Sequence, residues 1–215
     1  MSRALSRLRL VGLLLTFFGC QLGYSKDMVH KPQGVYKTID VRLATDTIKA
    51  LQGGRSKKGA EQITKVLAAP ENYSPPVLFL VSSILFEDGR RDEAMFWFYA
   101  GQLRGRIDAN ICADRSAAAA VDALNDKFGT PINKYAFGDL QKLQRTVTRV
   151  VEWEEKTGCH YDRRWINLHG LQAFKLEPSV PLSQPQQEWE AIRAKTRTDY
   201  RAGFDAAVKT LQKDP

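Results

Sequence analysis

No stretch of this chain alternates apolar and polar residues over the length of a strand, and that absence most constrains its fold. Apolar residues instead recur at helical spacing, in segments punctuated by glycine and proline. Residues 40–52 read as a short helix stopped by Gly53 and Gly54. Residues 56–69 carry Ile63, Val66 and Leu67 on one face and end at Pro70. Ser74, Pro75 and Pro76 supply a cap and a first turn for a helix over residues 77–87. That segment is apolar nearly all round; its length and the Ser82–Ser83 pair favour a buried helix over a strand.

After a turn at Asp88–Gly89, Asp92 is positioned to cap a helix reaching about Arg106. An alanine-rich helix over 114–128 closes at Gly129, and Thr130–Pro131 restarts the chain. Residues 139–156 carry Leu140, Leu143, Val147, Val150 and Val151 as an amphipathic stripe, with Glu154 and Glu155 on its solvated side. Residues 175–187 hold three prolines and read as a loop. The last helix, within 188–215, lines one face with Trp189, Ile192, Tyr200, Phe204, Ala207, Val208 and Leu211. The expected fold is all-α, an array of helical hairpins with seven or eight helices and a long C-terminal one. Its main domain covers residues 40–174.

The N-terminus predicts export. Arg3, Arg7 and Arg9 precede the apolar run LVGLLLTFF at residues 10–18, which small residues follow. That order is the layout of a secretory signal peptide, and the run is too short to span a bilayer. Two cuts compete: a lipobox ending at Cys20, which would be lipidated, or signal-peptidase cleavage after Ser25. Residues 26–39 then form an extended leader, and the mature protein lies in the periplasm or on the outer membrane. The formal charge of +8 shrinks with the signal. Losing its three arginines takes the basic residues from 32 to 29 against 24 acids, about +5. The remaining cations are spread along the chain, which disfavours nucleic acid as a partner.

Cysteine usage follows from the compartment. With Cys20 removed or lipidated, Cys112 and Cys159 remain, and two exported cysteines most often pair; a Cys112–Cys159 disulfide is expected.

The densest polar and aromatic cluster is GCHYDRRWINLHG at residues 158–170. Cys159, His160, Asp162 and His169 are acceptable zinc ligands, but their spacing matches no metal motif. Cys159 and His160 could in principle form a nucleophile pair. The favoured reading is a packed, disulfide-stapled loop. Tyr161, Arg163, Arg164, Trp165 and His169 are candidates for protein binding, because such residue types dominate hot spots. No phosphate loop, nucleophile elbow or H-E-x-x-H motif is present, and no catalytic residue, cofactor or metal is assigned.

One segment resembles a known repeat. Gly89, Ala94, Trp97, Phe98, Gly101 and Gly105 follow the Sel1-like or tetratricopeptide pattern over residues 77–105. A fainter copy runs from Gly54 to Gly89, with Gly59 at the place of Ala94 and Ile63 at that of Phe98. The resemblance implies a helix-turn-helix unit and a concave surface for another protein. Sel1-like units also occur in envelope immunity proteins that neutralise secreted toxins, including phospholipase effectors. An immunity role acting by steric occlusion is therefore the first expectation. The second is an envelope assembly scaffold, and the third a hydrolase with a site near His160 and His169.

Overall fold

The computed structural model describes residues 32–52, 56–175 and 180–213. The signal peptide, Cys20, the leader up to residue 31 and Gly54 lie outside them. The fold is all-α. Among the described residues seven α-helices follow one another: α1 (Arg42–Gln52), α2 (Lys57–Ala68), α3 (Pro75–Glu87), α4 (Arg91–Ile111), α5 (Ala119–Ala136), α6 (Leu140–Lys156) and α7 (Trp189–Lys213). Among the described residues the sole β pairing is an isolated bridge between Cys112 and Ser183. None of the described helices is long and apolar enough to cross a membrane.

Local chemistry sets several boundaries. Ser56 accepts the Gly59 N–H at 3.1 Å, and Asp139 accepts the Lys142 N–H at 2.9 Å, as N-caps do. Gly89 turns the chain between α3 and α4 at φ +80°, where a side chain would be strained. Other expectations need correction. Residues 34–38 are a 3-10 turn that buries Tyr36, rather than extended leader. Arg90, not Asp92, holds the N-cap of α4; the Asp92 carboxylate instead accepts the Tyr135 hydroxyl at 2.7 Å.

Two helices run further than glycine and proline suggested. α4 continues to Ile111, because Ile107, Asp108 and Ile111 are all buried by neighbours. α5 runs straight through Gly129 and Pro131. The proline forfeits one helical hydrogen bond. Packing offsets that loss. Ile132 is fully buried, and the Tyr99 hydroxyl donates to Asn133 Oδ1 at 2.9 Å. Gly129 marks a close approach to Phe98: a Cβ there would meet Cζ of that ring at 3.0 Å.

α4 is the axis of the molecule. It packs on α3, α5, α6 and α7, and most of its residues beyond the first turn are buried. α1 and α2 pack beside α3 and share a core with it through Leu51, Ile63, Val66, Val77, Leu78 and Val81. Rings fill the main core edge to face: Phe79 on Phe98 at 5.3 Å, and Trp97 on Trp153 at 5.5 Å. The α3–α4 hairpin closes over small residues. Ala94 is fully buried, and a Cβ at Gly101 would lie 3.2 Å from the Phe79 ring and 3.3 Å from Leu78 Cβ. Leu78 Cβ moves only with its backbone, so Gly101→Val is expected to overpack the crossing by about 1–3 kcal/mol. Thermal unfolding checks it, with an expected fall in Tm of several degrees.

Buried charge fastens α7 to α6. The Glu154 side chain is fully buried, not solvated, and accepts Arg197 Nη1 at 2.8 Å and Arg193 Nη2 at 3.0 Å. Glu190, one turn before Arg193 and two before Arg197, receives both guanidinium groups from the outer side. Arg193 and Arg197 are therefore committed to pairs within the fold.

Candidate binding surface

The segment after α6 is laid along α4 by two buried charges one helical turn apart. Arg104 donates to the Pro70 carbonyl at 3.0 Å and the Gly158 carbonyl at 2.8 Å, while its guanidinium stacks on Trp153 at 4.2 Å. Asp108 takes three donors from the next turn of the segment: Arg163 Nη1 at 2.6 Å, the Tyr161 hydroxyl at 2.8 Å and Trp165 Nε1 at 2.8 Å. Burial pushes the Asp108 carboxyl pKa up, against the pull of Arg163 and the three hydrogen bonds. Burial also opposes the Arg163 charge, but Asp108 outweighs it and that pKa is raised. The three bonds and the 2.6 Å contact are those of an ion pair with its remaining oxygen satisfied.

This geometry corrects the candidate list. Arg163 and Trp165 are buried, and the Tyr161 hydroxyl is consumed by Asp108. None of the three presents its polar end to a partner. Arg164 pairs with Asp162 at 2.7 Å and reaches the Thr38 carbonyl at 3.1 Å, tying the segment to the N-terminal turn. His169 sets its ring edge on Trp165, with centroids 5.6 Å apart, and its apolar surroundings lower its pKa.

The expected disulfide is not formed, and both thiols are free. The reason lies in the same parallel path. Gly158 is held at Arg104, whereas Cys112 lies two turns further along α4, with its thiol 3.3 Å from Asn167 Oδ1. Eight residues of helix rise about 12 Å, so the anchor that holds the chain at Gly158 and the position of Cys112 are well separated along this axis. Burial pushes the Cys112 thiol up to about 11. Cys112 is therefore expected to resist iodoacetamide in the folded protein and to react on unfolding. Mass spectrometry of a non-reduced digest checks it, and should find no Cys112–Cys159 peptide.

His160 and His169 do not converge. His160 Nδ1 faces Asn72 Oδ1 at 3.2 Å on a polar cleft, with Asp40 and Asp162 in the same wall. His169 lines a separate apolar cleft between α1, α3 and α5. Among the described residues no group of three His, Cys, Asp or Glu side chains could hold a metal ion.

What the segment does present is its next turn, the 3-10 helix Leu171–Phe174. Leu171 is 69% exposed and Phe174 60%. The backbone beneath them is fixed: the Leu171 N–H donates to Ser116 Oγ at 2.8 Å and the Gln172 N–H to Asp114 Oδ2 at 2.9 Å. A Cβ on Gly170 would collide with the Asp114 carboxylate, so only glycine admits this approach. Asp114 and Ser116 themselves form a capped turn, Oγ to Oδ1 at 2.6 Å. Two large apolar side chains are thus held outward on a rigid base. Sequence reasoning stopped at Gly170 and missed them. The available signal was an i, i+3 apolar pair with no stripe of its own.

In comparison with known proteins, no protein-family model matches the chain, and no solved structure is similar to it. It is similar to an uncharacterised protein of Haemophilus influenzae, 29% identical over 121 residues. That match covers 55% of this chain and 44% of the relative, less than half of the relative's length.

Proposed function

We propose that this chain is an exported module of the bacterial envelope that acts by binding another protein. The observation that carries the reading is the turn Leu171–Phe174, where Leu171 is 69% exposed on a backbone fixed by Asp114 and Ser116. Exposed apolar groups on a rigid support are what interfaces use as anchors. The charged groups most suggestive of chemistry, Asp108, Arg163 and Glu154, are committed to internal pairs. The export signal read at residues 1–25 supplies the compartment. The Sel1 resemblance suggests the form of the activity: neutralising a secreted toxin or phospholipase effector by covering its active site, with envelope assembly as the neighbouring role.

The test is genetic and structural together. Deleting the gene is expected to sensitise cells to their siblings, and the wild-type chain restores resistance while Leu171→Glu does not. Leu171→Glu should leave Tm unchanged, because the side chain is largely outside the core. Full rescue by Leu171→Glu, or no sensitisation on deletion, would contradict the reading.

A further inference from the structure

A second feature lies away from that turn. α1, the start of α3, α5 and the 163–169 turn enclose a cleft of about 370 Å³ walled by Val41, Ala44, Ile48, Pro76, Leu124 and Trp165. Its size is at the lower end of ligand pockets, which run from about 300 to 1,000 Å³.

The polar groups in it are few and specific. Ser74 is only 3% exposed and lines both this cleft and the polar one beside it. It sits at the N-cap of α3 yet makes no cap bond. Pro75 and Pro76 have no N–H to offer, and the Val77 N–H goes to the Ser74 carbonyl at 3.0 Å. The Ser74 hydroxyl is therefore not spent on capping α3, and Ser74 lines the cleft. At the rim Lys127 has no carboxylate within ion-pair distance among the described residues; its ammonium lies 5.3 Å from the centre of the Phe128 ring. The lining contains Lys127 and His169 and no acid.

We propose that this cleft binds a single medium-length acyl chain ending in an anionic head, such as a fatty acid. The chain lies against Val41, Ala44, Ile48, Leu124 and Trp165. The head receives a hydrogen bond from Ser74 and the charge of Lys127. The size suits one chain rather than a two-chain lipid, and the Lys127 charge in a lining without acids selects an anion.

Sodium decanoate, below its micellar concentration, is the probe, with Trp165 and His169 NMR resonances as the readout. Saturable binding of one decanoate per chain is expected, shifting both residues. Lys127→Glu, an exposed change that leaves the fold intact, should weaken it about tenfold by replacing an attraction with a repulsion. Ser74→Ala should weaken it several-fold, and Ala44→Phe should fill the cleft and abolish it. Decyltrimethylammonium should not compete. Equal binding of the cationic amphiphile, no effect of Lys127→Glu, or no saturable binding of decanoate would overturn the proposal. So would displacement of decanoate by a short peptide with an apolar, free C-terminus at much lower concentration, which would assign the cleft to a protein chain. Resistance in the sibling assay rests on Leu171, so the two readings fail independently.

Discussion

Asp108→Ala is expected to destabilise the protein by about 3–5 kcal/mol, the cost of leaving a buried charge without its partner. The alanine strands Arg163 in the interior and leaves the Tyr161 hydroxyl and Trp165 Nε1 without acceptors. For a chain of this size that corresponds to a fall in Tm of about 10 °C or more. Removing both charges is a different experiment. Asp108→Leu combined with Arg163→Met leaves no orphaned ion and should recover a substantial part of the loss. A single variant within about 2 °C of wild type would mean that the clamp contributes little. Such a result would return Tyr161, Arg163 and Trp165 to the list of surface candidates.

Glu154→Ala is the second large effect, about 3 kcal/mol, and it acts locally. It deprives Arg193 and Arg197 of the buried carboxylate that anchors the first half of α7 to α6. Hydrogen exchange should accelerate in α7 before it accelerates in α4, whose core partners are untouched. Glu190→Ala removes the exposed carboxylate of the same network and should cost less than about 1 kcal/mol. Equal costs for the two glutamates would show that burial does not set the strength of this contact.

Helical periodicity revealed most of the architecture. The amphipathic stripes of α2 and α6 were legible, because a stripe depends on neighbours within a turn or two, and the small residue at Gly101 was legible through the repeat pattern; the caps at Ser56 and Asp139 were not read, and the caps expected of Ser74 and Asp92 are not made by their side chains. The errors share a cause. Gly129 and Pro131 look like a stop, yet Phe98 and Tyr99 on another helix hold α5 through them. Glu154 beside Glu155 and Lys156 looks solvated, yet α7, arriving from nearly forty residues away, covers it. The aromatic and arginine cluster looked like a contact surface because composition does not report direction. Its direction is set by Asp108, a lone acid in a stretch expected to lie past the end of its helix. Counting cysteines suggested a pair, but their separation depends on where Arg104 catches the chain.

The central claim is that this cluster faces inward and the turn after it faces outward. Hydroxyl-radical footprinting of the folded protein measures that contrast residue by residue. Trp165 should be protected to near the limit of the folded core, while Leu171 and Phe174 are oxidised readily. Oxidation of Trp165 in the native protein at the rate of the unfolded chain, with Leu171 and Phe174 protected, would contradict it.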